Sequence, residues 1–393
     1  MDDRLPGLID QHDSMHKRPK PLSTWYRDLM LAAQLGAEEH WAGPDGQSIK
    51  QTIVQGIAQL LDDRDHAQTA LAYRQGHTIE PTPLLVEQRQ TATELLAALG
   101  DARYPVSIEQ WQQATSDLTK QFGREGGHYW RYVPAARYQV GGWEVGQTPT
   151  SVELQPYWVG RLMITVEQYR RFMQAGGYAK AECWSSAGWA WKETYQRAEP
   201  EWWESQTHPE AANQPVYGVS WYEVLAYCNW LTQQLAPVLP QGYEVCLASE
   251  AEWEVAAAYP AQGQRQRSPW GDQPATPEHA VYAWSEAQRP LAVGLGLLGQ
   301  AGCGALDYVG NLWEYTSTIY QAAIEHDQSA PGFVVCGGSY YGTSADMLCA
   351  ARYWTTPVVS SDSRGFRCTL ARRGSNEGHS RRNDKRAGNE FQN

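Results

Sequence analysis

Histidine, cysteine and glycine spacings are where chemistry first shows in a sequence, and this 393-residue chain offers one pattern of each. His12 and His16 stand four apart, a spacing that would put both rings on one helix face. They sit in a polar, proline-flanked stretch, so the reading is coincidental spacing rather than a metal pair. The seven cysteines are an odd number and contain no C-x-x-C pair. That excludes zinc ribbons and argues for buried, reduced thiols rather than a disulfide framework. Gly294-Leu295-Gly296-Leu297-Leu298-Gly299 fits G-x-G-x-x-G formally. No strand-helix-strand unit surrounds it, so it does not read as a dinucleotide loop. Neither a nucleophile elbow nor a phosphate-cradling P-loop occurs.

A second pattern is aromatic. The chain has 18 Trp and 22 Tyr against 5 Phe. Trp and Tyr carry a polar handle that suits half-buried positions and binding surfaces. The net charge of -12 argues against nucleic acid as a partner, because phosphate binding needs a basic field. No apolar run approaches the roughly 18 residues needed to cross a bilayer, and Met1-Asp2-Asp3-Arg4 does not open a secretory signal. The expectation is a cytoplasmic protein with no membrane partner.

Three regions must position these residues. Residues 1–122 read as helical. Ser23 or Thr24 would cap a helix through Leu35, and Ser48 precedes a run of Ile49, Ile53, Val54, Ile57, Leu60 and Leu61. Further helices are expected from Leu84 to Leu99, stopped by Gly100, and from Ser107 through Trp111. Residues 123–371 change character, with short strands at Tyr129–Val133, Leu154–Val159 and Gly332–Cys336. Helices are expected after Thr165, over Trp221–Leu235, and from the capping box Ser249-x-x-Glu252. Short strands among long Gly- and Pro-punctuated loops describe a loop-rich α+β domain. Residues 372–393 carry Arg372, Arg373, Arg381, Arg382, Lys385 and Arg386 and read as a solvated basic tail.

Within the second region a series of blocks runs in order: Tyr157-Trp158-Val159-Gly160-Arg161, Pro215-Val216-Tyr217-Gly218-Val219-Ser220-Trp221, Ala226-Tyr227-Cys228-Asn229-Trp230-Leu231 and Leu247-Ala248-Ser249-Glu250-Ala251-Glu252-Trp253-Glu254. Val309-Gly310-Asn311-Leu312-Trp313-Glu314-Tyr315, Gly337-Gly338-Ser339-Tyr340 and Arg364-Gly365-Phe366-Arg367-Cys368 complete it. The set resembles the formylglycine-generating-enzyme, or sulfatase-modifying-factor, family over about residues 128 to 371. The resemblance implies a C-type-lectin-like fold preceded by a small helical region. The stretch from Thr91 to Pro105 is similar to the helical segments that precede such domains in larger signalling proteins.

The resemblance also bears on catalysis. Active family members place two copper-binding cysteines shortly after the Gly-Gly-Ser-aromatic turn, and soft sulfur is the sensible ligand for Cu(I). The corresponding places here are Gly342 and Met347. A second branch of the fold builds sulfoxides on iron held by H-x-x-x-H-x-E. The position where Glu should follow His12 and His16 is Arg18, a cation unfavourable beside iron. The expectation is therefore that the chain is not an enzyme and requires no cofactor. The resemblance implies one calcium set, Asp307, Gly310, Leu312 and Glu314, with oxygen donors suited to a hard cation. It also implies that Cys368 lies near Cys228.

What remains is a surface. The candidate ligand-binding residues are Tyr340, Tyr341, Thr343, Ser344, Asp346, Tyr353, Trp354, Thr355, Ser360, Ser361, Asp362 and Ser363. Rigid aromatics among small polar residues approach the composition of antibody paratopes. Their alternation with the framework blocks Cys349-Ala350-Ala351-Arg352 and Gly365-Phe366-Arg367 resembles the variable proteins of diversity-generating retroelements. The expected function is a ligand-binding protein with a protein or peptide partner. The alternatives are an inactive sensor or scaffold module of a signalling system, and an oxidoreductase of the formylglycine-generating or sulfoxide-synthase type. Trp184, Trp189, Trp191, Trp202 and Trp203 are expected to plug a long loop rather than line a pocket. Arg352 and Arg367 are expected in buried ion pairs whose partners sequence cannot name.

Overall fold

The structure is a computed structural model, and it describes residues 22–37, 43–123, 129–284, 289–320 and 331–372. His12, His16 and all but the first residue of the basic tail lie outside that set.

Among the described residues five helices come first: α1 (Leu22–Ala37), α2 (Gly43–Asp62), α3 (Arg64–Arg74), α4 (Val86–Leu99) and α5 (Ile108–Ser116). Apolar spacing accounts for α2, which buries Ile53, Val54, Ile57, Leu60 and Leu61. A capping box starts α5, where Ser107 accepts from the Gln110 amide and the Gln110 side chain returns to the Ser107 amide. Gly100, at φ 99°, ends α4 in a conformation that favours glycine. Sequence periodicity missed α3, because it buries little beyond His66, Ala67 and Ala70. Asp63 caps it by accepting from the His66 amide.

Among its described residues the α+β domain holds two four-stranded sheets and a hairpin. The first sheet runs β1 (Trp130–Val133), β4 (Tyr157–Gly160), β10 (Thr369–Arg372) and β5 (Tyr243–Cys246), all antiparallel. It brings the beginning and end of the domain into one sheet, with β4 between β1 and β10. The hairpin pairs β2 (Ala136–Val140) with β3 (Thr150–Leu154). A single strand over Leu154–Val159 was expected. Instead the chain breaks at Gln155-Pro156, where proline has no amide for a ladder, and β3 and β4 serve different sheets. The second sheet runs β8 (Arg352–Thr355), β7 (Gly332–Cys336), β6 (Trp313–Tyr320) and β9 (Arg364–Gly365), with β6 and β9 parallel. Helices α6 (Val166–Gln174), α7 (Ser186–Thr194), α8 (Trp221–Leu235) and α9 (Glu250–Ala258) fill the intervals. Thr165, Ser220 and Ser249 form the capping boxes of α6, α8 and α9.

Helical region and α+β domain share one buried cluster, which runs from Tyr26, Leu29, Ile57 and Leu96 to Trp158, Leu306 and Phe366. Polar contacts cross the same seam. Arg89 of α4 is fully buried and bonds Glu278 at 3.1 Å, while Glu278 also accepts from the Val86 amide at 3.3 Å and Arg74 at 3.2 Å. Asn213 donates to the Thr93 carbonyl at 2.7 Å. The formal G-x-G-x-x-G acquires a packing reason here. A Cβ on Gly296 or Gly299 would come within 2.4 or 1.9 Å of the His279 carbonyl, so both glycines admit a close backbone approach.

Two outcomes follow from this seam. Glu278→Gln leaves Arg89 as an unpaired buried charge and should cost about 3–5 kcal/mol in urea unfolding; a loss below about 1 kcal/mol would mean that water reaches Arg89. His279 packs 4.9 Å from the Trp270 ring, and burial lowers its pKa from 6.5 to about 4. The unfolded chain then takes up this proton before the folded one does, so stability is lost as pH falls from about 6.5 towards 4. Wild type should lose more stability over that window than His279→Gln, as read from paired denaturation curves at pH 7 and pH 5.

Candidate functional site

The site rests on a buried ion pair. Arg367 bonds Glu314 through Nη2 at 2.7 Å and Nε at 3.1 Å, and Trp253 Nε1 donates to the same carboxylate at 3.0 Å. The guanidinium also donates to the carbonyls of Gly160 (2.8 Å), Arg161 (3.1 Å) and Leu306 (2.7 Å), and lies 4.1 Å from the Tyr308 ring centre. Burial opposes its charge, but the adjoining Glu314 outweighs burial and raises the pKa of Arg367. Arg352 forms the second expected pair, with Glu250 at 2.9 Å and Glu254 at 2.8 Å, both on α9.

Strand alternation on the second sheet then sorts the candidate residues. Tyr353 pairs with Val335, which pairs with Tyr315, so these share one face. Arg352 and Trp354 take the opposite face, which α9 covers. Trp354 stacks on Tyr320 at 5.5 Å and 9°. It is therefore turned away from Tyr353, and the strand does not bring these two candidates together. On the Tyr353 face, Trp221 stacks on Phe333 at 3.7 Å, and the Tyr315 hydroxyl ties the carbonyls of Val219 (3.0 Å) and Val359 (3.1 Å).

Loops crossing that face bring the remaining groups together. Tyr341 donates to Asp362 Oδ2 at 2.9 Å, and its ring lies 4.1 Å from that of Tyr340. Ser361 bonds Ser363 at 2.9 Å, and Ser360 bonds Glu201. The Gly218 amide donates to the Ser361 carbonyl at 2.9 Å, and the Glu201 amide to the Gly218 carbonyl at 2.8 Å. These bonds dock the 201–202 loop beside Asp362. There Trp202 takes a left-handed backbone, φ 54°, with its side chain half exposed. Such a conformation is uncommon for a bulky residue and marks a position held by its surroundings. Gly218 explains the close fit, since a Cβ there would meet the Glu201 carbonyl at 2.1 Å.

Tyr341 and Tyr353 are exposed at 54% and 56%, and Trp202 at 50%; Ser360, Ser361, Asp362 and Ser363 are intermediate. Two candidates are corrected by burial. Tyr340 lies under Tyr341, and burial followed by its contact with Tyr341 pushes its hydroxyl pKa up. Thr355 is buried and accepts from Arg364 at 2.9 Å. Both support the surface from beneath. Thr343, Ser344 and Asp346 are exposed, but form a short turn in which Asp346 accepts from the Thr343 amide (2.7 Å) and hydroxyl (2.8 Å). Sequence reading missed Trp202, which it grouped with the loop plug. Trp184 and Trp203 are buried as expected, with Trp189 and Trp191 packed against the core. No sequence signal separates Trp202 from Trp203; the left-handed turn does.

The implied calcium donors do not fit a cation. Both carboxylate oxygens of Glu314 face Arg367, and a guanidinium repels a metal ion in that place. Asp307 instead accepts from the Gly294 amide at 2.6 Å, and burial raises its pKa. Of the two places for a copper thiolate pair, Gly342 has no side chain and Met347 is a buried thioether that fills the space under Gly310 and Gly338. Cys228 and Cys368 do meet in the core, within hydrogen-bond contact. Among the described residues, no three His, Cys, Asp or Glu side chains converge as a metal site, and no helix is long and apolar enough to cross a membrane.

The sulfatase-modifying factor enzyme 1-like domain family matches residues 103–372. The chain belongs to this family. Its fold is accordingly the loop-rich, C-type-lectin-like α+β domain, here preceded by a small helical region. A hercynine oxygenase of Mycolicibacterium thermoresistibile is 30% identical over 231 residues, 53% of this chain and 49% of that protein. A formylglycine-generating enzyme of Mus musculus is 32% identical over 193 residues, 41% of this chain and 47% of that protein. The chain thus spans about half the length of these curated relatives. Among solved structures, Treponema denticola variable protein 1 is 21% identical, with a TM-score of 0.42 over 61% of this chain and 94% of its own. These relatives overturn the expectation that the chain is not an enzyme: the family is enzymatic and the hercynine oxygenases are enzymes by name. Loss of the cysteine pair removes one copper site and says nothing about other chemistry on the fold.

A melting curve should therefore be unchanged by millimolar calcium or by a chelator. A calcium-dependent rise of several degrees would show that Glu314 can leave Arg367.

Proposed function

We propose that the chain binds a protein or peptide partner through the surface made by Tyr341, Tyr353, Trp202 and the Ser360–Ser363 loop. The observation that carries this reading is three half-exposed aromatic side chains on a backing fixed by the buried Arg367–Glu314 pair and by loop-to-loop hydrogen bonds. Rigid aromatics bury large areas at low entropic cost, and the small hydroxyls between them adapt to different partners. The separation of exposed positions from buried framework also suits a surface diversified by a retroelement. Sequencing around the gene tests that part: a reverse transcriptase and a near-copy of the segment for Tyr340 to Arg367, differing at adenines, would support it. Their absence would overturn diversification.

The curated relatives favour a second reading, an oxygenase acting on hercynine. Oxygen uptake dependent on both hercynine and a thiol co-substrate in the purified full chain would support it, and none with iron and thiol supplied would remove it.

Tolerance separates surface from support. Tyr341→Ser and Tyr353→Ser should change stability by less than about 1 kcal/mol, because both side chains are half exposed. Phe366→Ala, in the core beneath, should cost about 3–5 kcal/mol. Chemical denaturation of the three variants gives the comparison.

A further inference from the structure

We infer that the surface around Asp362 receives a basic side chain of the partner, arginine before lysine. This rests on the binding reading above and names the chemistry of what is bound. Asp362 is a half-buried carboxylate whose contacts are hydroxyls: Tyr341 at 2.9 Å, Ser361 at 3.4 Å, and the buried Tyr340 beside them. Among the described residues no Lys or Arg pairs with it. The neighbouring cations are engaged or turned elsewhere: Arg364 bonds Thr355, and Arg197 lies 3.5 Å from Glu201 and 3.7 Å from Glu223. Arg289 is exposed and is felt by the Tyr217 hydroxyl together with Asp362, but forms no ion pair with Asp362.

An unpaired carboxylate bordered by half-exposed aromatic rings is the arrangement that favours a cation. The ring of Tyr341, backed by Tyr340, offers a face, and Asp362 offers two oxygens at its edge. A planar guanidinium can stack on the first while bonding the second, which an ammonium does less well. Glu201, joined to Ser360, stands on the Trp202 side, with its charge partly met by Arg197. The chain's net charge of -12 adds a long-range field that draws basic partners and disfavours acidic or phosphorylated ones.

The test exposes the immobilised full chain to a displayed library of random dodecapeptides. Retained peptides should be rich in Arg and Lys. Their synthetic forms should bind Asp362→Asn at least about tenfold more weakly, the usual scale for a charge-assisted pair. Replacing the critical arginine by neutral, isosteric citrulline should cause a similar loss. Tyr341→Phe, which keeps the ring and frees Asp362 of its phenol, should bind at least as tightly as wild type. Retained peptides without basic residues, or with equal affinity for Asp362→Asn, would overturn the inference and leave the binding reading standing. No peptide retained by a chain with a native melting curve would remove both.

Discussion

Glu314 and Arg367 meet where the rest of the domain is anchored. The arginine reaches back to the end of β4, across to the loop before β6, and sits between β9 and β10; the carboxylate also holds Trp253 of α9. Removing two charges from water is costly, and such a pair persists only when nearly every donor and acceptor finds a partner. Here the partners are backbone carbonyls belonging to segments far apart in sequence. Long loops with little regular structure can cross the surface because their roots are fixed at this point. The same occupancy shuts out a metal ion.

Much of the frame was legible in the residues. Capping boxes at Ser107, Thr165, Ser220 and Ser249 are local devices, and each marks a helix start. Gly100 marks an end for the same reason. Legibility failed where tertiary contacts decide. Helix α3 has no long apolar stripe to announce it, and the corner at Pro156 divided one expected strand between two sheets. Within the site, Tyr341 and Asp362 are both sequence candidates, and the hydrogen bond that joins them is not legible from their spacing. Trp202 was hidden because its exposure comes from a backbone turn that Gly218 and the Ser361 carbonyl impose from other parts of the chain.

Family membership and the fate of one motif lie on different links of the argument. The frame from residue 103 to 372 is an enzyme family's frame. Gly342 and Met347 are two positions within it, and the thioether of Met347 packs as core beneath the turn that carries Tyr341. A motif lost at one turn leaves the scaffold intact, since the residues that hold the scaffold lie elsewhere.

Neighbours in β8 lead separate lives. Tyr353 looks outward and Trp354 lies against Tyr320 on the side that α9 covers, although one peptide bond joins them. At this one pair of positions, Tyr353 answers to whatever the protein meets and Trp354 to a ring within the chain, while Thr355, back on the Tyr353 face, is already buried. A lineage can rewrite its encounters at Tyr353 without renegotiating its fold, and only there in the strand.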